Sequence, residues 1–343
     1  MQALILAGGE ATRLRPLTST IPKPVVPLGD RPFIAHMIEW LRRHGVDDVI
    51  LACGFMAGDV RAVLGDGAAL GVRLRYVEEP RPLGTGGALK YAEDVLDDRF
   101  LMLNGDVLTD IDLTAQLEQH ERTSARATLA LVAVEDPSAY GLVRLAADRS
   151  VIEFLEKPEK SAIDTNLINA GAYVLERDVL EQMPPPGTNV SIERDVFPKL
   201  VGHGLFGHPA DAYWLDIGTP ERYLQGTFDI VSGRVATGVP FQRDGVLVLA
   251  GSEIAPGATV GPDAVIGPGA TVGEGAAIER SVVLKGASVG ASCSLRDAIV
   301  GPYARIGDDC ELELAVVGEG AVVRPGSKLE AGARIFPDVM SER

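Results

Sequence analysis

The chain is poor in several residue types that carry chemistry elsewhere. Its 343 residues include three cysteines, five histidines and two tryptophans. Cys53, Cys293 and Cys310 have neither metal-ligand spacing nor the density of a disulfide framework, which points to a reducing, cytoplasmic setting. No apolar run approaches the ~18 residues of a membrane span. The first residues, Ala3-Leu4-Ile5-Leu6-Ala7, lack a basic flank and a cleavage site, so they read as a strand and not as a secretory leader. Positive charge is also short, with 32 Lys and Arg against 48 Asp and Glu, a net charge of −16. Nucleic acid and membrane surfaces are therefore not expected partners. A small anionic ligand remains possible, because a few local cations can define one pocket. Hydrophobic residues make up 46% of the chain, enough for the cores of two domains.

Residues 1–235 alternate short apolar runs with helical patterns. Val49–Ala52 and Phe100–Asn104 read as strands covered on both faces, and Phe33–Leu41 and Gly87–Leu96 as helices. A helix is expected from Pro220, with Thr219 as its N-cap. This alternation predicts a Rossmann-like α/β domain, a mostly parallel sheet flanked by helices, with ligands beyond the carboxyl ends of its strands. Gly8-Gly9 and Asp106 both follow such ends.

After a linker at 236–250 the pattern changes. Over 251–343, Ile254, Val260, Ile266, Val272 and Ile278 recur every six residues, the first four each followed four later by a small residue at Ala258, Ala264, Ala270 and Ala276. Ile278, Leu295, Leu312 and Leu329 then recur at 17. Hexapeptide repeats predict a parallel β-helix, here with one tightened corner per coil. Its period stacks Cys293 on Cys310, either as small core residues or as a thiol pair.

The loop Leu6-Ala7-Gly8-Gly9-Glu10-Ala11-Thr12-Arg13-Leu14-Arg15-Pro16-Leu17-Thr18 can bring backbone N–H groups against a polyphosphate. Arg13, Arg15 and, within Pro22-Lys23-Pro24, Lys23 add cations. The spacing matches neither the dinucleotide nor the Walker glycine pattern. With Leu83-Gly84-Thr85-Gly86-Gly87, Asn104-Gly105-Asp106, Glu156-Lys157-Pro158, Asn169-Ala170-Gly171 and Trp214–Pro220, the loop resembles the signature set of the sugar nucleotidyltransferases, over nearly the whole chain.

That resemblance implies transfer of a nucleotide from an NTP to a sugar 1-phosphate with release of pyrophosphate, a Mg²⁺ cofactor, and a left-handed C-terminal β-helix. It implies catalytic roles for Arg13 on the leaving phosphates, for Lys23 on the α-phosphate, and for Asp106 and Asp216 on the metal. The nucleotide would lie against Leu6, Ala7, Gly8, Gly9, Thr12, Gly84, Thr85 and Asn104, and the sugar phosphate against Gly141, Glu156, Lys157, Asn169 and Asp216. Glu156-Lys157-Pro158 also reads as a turn ending a strand. Ala11 stands where the family has glycine; if that position needs φ > 0, alanine costs roughly 1–2 kcal/mol or the loop takes another path.

Within the family the likeness is nearest to the branch that joins GTP to mannose 1-phosphate and makes GDP-mannose. Guanine presents N–H donors, so Glu78 or Glu79, just before the second glycine loop, is a candidate acceptor; an exposed strand end is the other reading. Uridylyl or thymidylyl transfer to glucose 1-phosphate, guanylyl transfer to a heptose or cyclitol phosphate, and a non-catalytic regulatory homologue remain alternatives. All five histidines (His36, His44, His120, His203, His208) precede the hexapeptide repeats. An acetyltransferase built on the β-helix would therefore lack its usual base. Stacked coils without a site suggest a homo-oligomer.

Overall fold

The computed structural model describes residues 1–242 and 244–337. Positions 338–343, the end of the stretch read as β-helix, lie outside the described residues. The chain forms two compact units, one of Met1–Gly9 with Met37–Trp214, the other of Glu10–His36 with Leu215 onward.

The first unit is built on a nine-stranded sheet. Its parallel centre runs Arg73–Glu78, Asp48–Cys53, Gln2–Leu6 and Arg99–Asn104 in that spatial order. Leu167–Glu176 joins antiparallel to Arg99–Asn104, and Gly141–Leu145 with Val151–Glu156 extends the edge. Leu4, Ile50, Phe100 and Met102 are fully buried, as continuous apolar runs in a doubly covered sheet require. The expected helices are present at Phe33–Arg43 and Pro220–Val231, the latter capped by the Thr219 side chain accepting from the Arg222 amide. The helix read as Gly87–Leu96 instead spans Gly84–Tyr91. It starts sooner because the Gly86 and Gly87 amides donate to Val190 O, a partner far away in sequence. A separate short 3₁₀ turn follows at Glu93–Val95.

The second unit carries a left-handed parallel β-helix whose strands form three sheets. Its first strand, Val246–Val248, lies inside the stretch 236–250 read as a linker. The middle coils repeat at 17, as in Ala264 on Ser281 and Ile278 on Leu295. The first and last repeat at 18, as in Val246 on Ala264 and Val316 on Arg334. One corner of successive coils is turned by Asp263, Arg280, Asp297 and Leu314, with φ between 46° and 52°. Cys293 and Cys310 are free, buried core residues, their thiols donating to Gly307 O and Arg324 O at 3.0 and 3.1 Å.

One β-helix face is apolar on both sides. Ile266, Val283, Val300 and Val317 point into the coil core, while Val265, Val282, Ile299 and Val316 are also at most 3% exposed. Helix Pro220–Val231 and the segment Glu10–His36 meet the coils here. The Arg280 guanidinium lies 5.7 Å from the Phe228 ring centroid. A methyl on Gly318 would come within 3.0 Å of Pro16 Cβ.

Candidate functional site

The first unit sets residues expected on the nucleotide side at the carboxyl ends of its parallel strands. Leu6 pairs with Ala52 and Asn104 in register, so Ala7-Gly8, Gly54 and Gly105-Asp106 leave the sheet together. The Gly105 amide donates to Leu6 O at 2.9 Å, and the Ala7 amide to Ala52 O at 2.8 Å. These bonds fix where Gly8-Gly9 and Asp106 begin. Of the two acidic candidates, Glu78 ion-pairs with Arg61 at 2.7 Å in an exposed position. Glu79 turns inward. Its Oε1 would lie 3.1 Å from a methyl on Gly8, and its Oε2 accepts from the Leu83 amide at 3.0 Å. Burial holds the Glu79 pKa above the usual carboxylate value, against the Leu83 amide, which lowers it.

Gly84 begins its helix with φ 74°, and Thr85 is tied into the scaffold. The Thr85 hydroxyl donates to Glu193 Oε2 at 2.7 Å and accepts from the Ile192 amide at 2.9 Å. Asn104 packs against Gly171, and among the described residues nothing donates to its buried Oδ1.

Four of the residues expected on the sugar side, Gly141, Glu156, Lys157 and Asn169, also lie within this unit, and Asp216 lies in the other. Glu156 pairs with Gly141 across adjacent strands, and its Oε2 would lie 3.0 Å from a methyl there. Lys157 turns out of the strand at φ 50°, its amide donating to Tyr140 O at 3.1 Å. Burial first, then the Glu193 carboxylate, raises the Glu156 pKa. Asn169 sits at a bulge, where its Oδ1 accepts from the Gly171 amide at 3.1 Å and its Nδ2 donates to the Tyr173 hydroxyl at 2.8 Å. Trp214 braces this bulge, donating from Nε1 to Ala170 O at 2.9 Å and meeting Tyr140 edge-on at 5.2 Å.

The second unit assembles its own set. Thr12 and Arg13 lie on a 3₁₀ turn, Thr12–Leu14, entered by Ala11 at φ 47° and ψ 46°. Alanine thus takes the left-handed conformation that favours glycine. Ala11 O accepts from the Thr18 hydroxyl at 2.8 Å and the Leu14 amide at 3.0 Å, which holds the strained turn closed. A methyl on Gly218 would lie 2.5 Å from Arg13 Nη2 and 2.8 Å from Asp216 Oδ1, so these two side chains meet over one glycine. Arg222 Nη1 stands 3.7 Å from Asp216 Oδ2. Lys23 is half-buried at the head of a further 3₁₀ turn, Lys23–Val25.

Among the described residues no group of three or more His, Cys, Asp or Glu side chains could hold a metal ion by itself. None of their helices is long and apolar enough to cross a membrane.

Residues 2–232 match the Nucleotidyl transferase family, and residues 243–339 the GMPPB C-terminal domain. The chain belongs to the nucleotidyl transferase family. Among its relatives is the mannose-1-phosphate guanylyltransferase of Mycobacterium tuberculosis (strain ATCC 25618 / H37Rv), 40% identical over 99% of this chain and 95% of that protein. A probable mannose-1-phosphate guanylyltransferase 1 of Oryza sativa subsp. japonica is 39% identical over 66% of this chain and 63% of its own length. The crystal structure of HddC from Yersinia pseudotuberculosis complexed with GMP-PN is 30% identical, with a TM-score of 0.58 over 67% of this chain and 99% of that one.

Sequence reasoning gave no role to Glu193, Trp214 or Arg222. Trp214 stands in a segment that carries the family likeness, but only the fold shows what its side chain and that of Glu193 touch. Nothing in the sequence marked Arg222, which reaches back from the first turn of helix Pro220–Val231 to Asp216 at the end of the preceding strand.

Proposed function

We propose that the chain transfers GMP from GTP to mannose 1-phosphate, releasing pyrophosphate and forming GDP-mannose. The observation that carries this reading is the 40% identity to a mannose-1-phosphate guanylyltransferase over 99% of the chain, both units included. The inward Glu79 carboxylate supports guanine as the base, since it offers acceptors to N1–H and N2–H.

A phosphate oxygen of the sugar 1-phosphate attacks the α-phosphorus; the bond from that phosphorus to the bridging oxygen breaks, and pyrophosphate leaves with the electron pair. Both substrates are anionic, so positioning and charge neutralisation supply most of the acceleration. Arg13 neutralises charge on the leaving phosphates and Lys23 on the α-phosphate. Lys157 holds the sugar phosphate, with Glu156, Asn169 and the Gly141 backbone on the sugar hydroxyls. Leu6, Ala7, Gly8, Gly9, Thr12, Gly84 and Thr85 line the nucleotide. The buried Oδ1 of Asn104 is an acceptor for a ligand hydroxyl.

The metal we assign is Mg²⁺, with Asp106 and Asp216 as its protein ligands. An all-oxygen donor pair without histidine or cysteine suits a hard cation that takes its other ligands from phosphates and water. When bound, Mg²⁺ would neutralise phosphate charge. We place the protein in the cytoplasm, where its three buried thiols stay reduced, and as a homo-oligomer. Stacked coils that carry no site of their own support self-association.

The test is pyrophosphate release in Mg²⁺ from GTP, UTP, dTTP, ATP and CTP, each against mannose and glucose 1-phosphates. The GTP and mannose 1-phosphate pair should be fastest. Absence of release across the panel would remove the enzymatic reading, and a faster pair would replace the substrates. Asp106→Asn should abolish turnover with the fold intact.

A further inference from the structure

The second unit joins the phosphate-handling loop to the far end of the β-helix. Pro16, three residues after Arg13, is buried against buried Gly318, so closely that a methyl on Gly318 would lie 3.0 Å from Pro16 Cβ. The next rung adds a polar tie. The Gly318 amide donates to Ile335 O at 2.8 Å, and the neighbouring Arg334 guanidinium donates from Nη1 to Arg15 O. The Glu221 carboxyl, in the first turn of the helix after Asp216-Ile217-Gly218, is held low by the Thr219 hydroxyl, then by its own backbone amide, and also by the charge of Arg334. One cation of the last coil therefore acts on the chain at both segments that meet over Gly218, the Arg13 loop and the turn after Asp216.

Hexapeptide coils do not need this arrangement for their own stability. Arg334 is exposed, and the inward neighbour that serves the coil core is Ile335. A loop entered through a left-handed alanine gains most from an external seat, because its own bonds are short-range turns from Ala11 to Ser19.

We propose that the last two coils of the β-helix are the seat of the loop Ala11–Ser19, and that Arg334 and Gly318 are positioning residues for Arg13. The effect on rate rests on the role proposed above for Arg13; the effect on the loop does not.

Two measurements on the full-length protein test it. In Arg334→Ala, the amides of Leu14, Arg15 and Ser19 should exchange hydrogen about tenfold faster than in the parent, while those of the Ile299–Val300 rung stay unchanged. The same variant should lose about tenfold in kcat/KM for GTP with KM for the sugar 1-phosphate unchanged, and Arg334→Lys should restore part of the loss. Gly318→Ala, which presses on Pro16 from the preceding coil, should move both quantities in the same direction. Arg305→Ala, an exposed change on another β-helix face, should move neither. Unchanged loop exchange in both Arg334→Ala and Gly318→Ala overturns the seat, whatever the activity does. Faster exchange with unaltered kcat/KM overturns the positioning role. If the parent releases no pyrophosphate, the functional reading falls, and the exchange result alone decides the seat.

Discussion

The guanidinium of Arg13 and the α-carbon of Gly218 leave no room for a methyl group. A side-chain carbon on Gly218 would lie 2.5 Å from Arg13 Nη2 and 2.8 Å from Asp216 Oδ1. Both groups belong to movable side chains, so Gly218→Ala should fold, with stability changed by less than about 1.5 kcal/mol. Catalysis is less forgiving, because a displacement of about 1 Å in a positioned group can cost ~10²-fold. We expect kcat to fall about 100-fold with an unchanged melting profile. An Ala variant with parental kcat would show that Arg13 and Asp216 do not have to meet over this residue.

Glu79 offers a prediction about selectivity and its pH dependence. Guanine needs the ionised carboxylate, and burial raises the Glu79 pKa above its usual value. Acidification should therefore reduce kcat/KM for GTP starting from a pH above the ordinary carboxylate range. Glu79→Gln should lose about 10–100-fold in kcat/KM for GTP and flatten that limb of the profile. Stability runs the other way. A carboxyl harder to ionise in the folded state destabilises the fold as pH rises through its unfolded pKa, so Glu79→Gln should be slightly more stable than the parent at neutral pH. An unchanged GTP profile in Glu79→Gln would exclude it as the base reader.

Much of this architecture is legible in the sequence where the signal is periodic or local. The six-residue recurrence from Ile254 to Ile278 gives the coils, and Thr219-Pro220 gives a helix start that the structure places at Pro220. What fails is information carried by distant partners. The helix at Gly84–Tyr91 begins where Val190 O accepts from Gly86 and Gly87, and nothing near residue 84 announces residue 190. Glu78 and Glu79 are adjacent and chemically identical in sequence. Arg61 draws the first outward, and the strand's alternation turns the second toward Gly8. The bonds of Trp214 to Ala170 O and of Glu193 to the Thr85 hydroxyl likewise join residues far apart in sequence.

Ala11 carries backbone strain that glycine would not. Its left-handed conformation costs alanine roughly 1–2 kcal/mol, while glycine loses about 0.5–1 kcal/mol more conformational entropy on folding. Ala11→Gly should therefore gain about 0.5 kcal/mol of stability, read as a higher denaturant midpoint at constant slope. The Thr18 hydroxyl bond to residue 11 O involves the backbone alone at that position and should persist, so kcat should stay within about twofold. Thr18→Val, which removes that bond, should lower stability by about 1 kcal/mol. A destabilised Ala11→Gly variant would mean that the turn gains more from alanine's restriction than it loses to strain.

The two-sided face of the β-helix yields the sharpest stability contrast. Ile299 points away from the coil core yet is fully buried, whereas Val322, on another face, is 53% exposed. In a free-standing β-helix both would be surface residues, and neither truncation would matter. In the second unit the strands Ser281–Val283, Ile299–Val300 and Val316–Val317 are apolar at consecutive positions, the pattern of a sheet covered on both sides. Ile299→Ala should therefore cost about 2–5 kcal/mol, the usual range for emptying a core site. Val322→Ala should cost less than about 0.5 kcal/mol. Chemical denaturation of the two variants decides the matter. Equal, small losses would mean that the apolar outer column is not a packing surface, and Ile299 would then behave as a solvent-facing residue despite its burial.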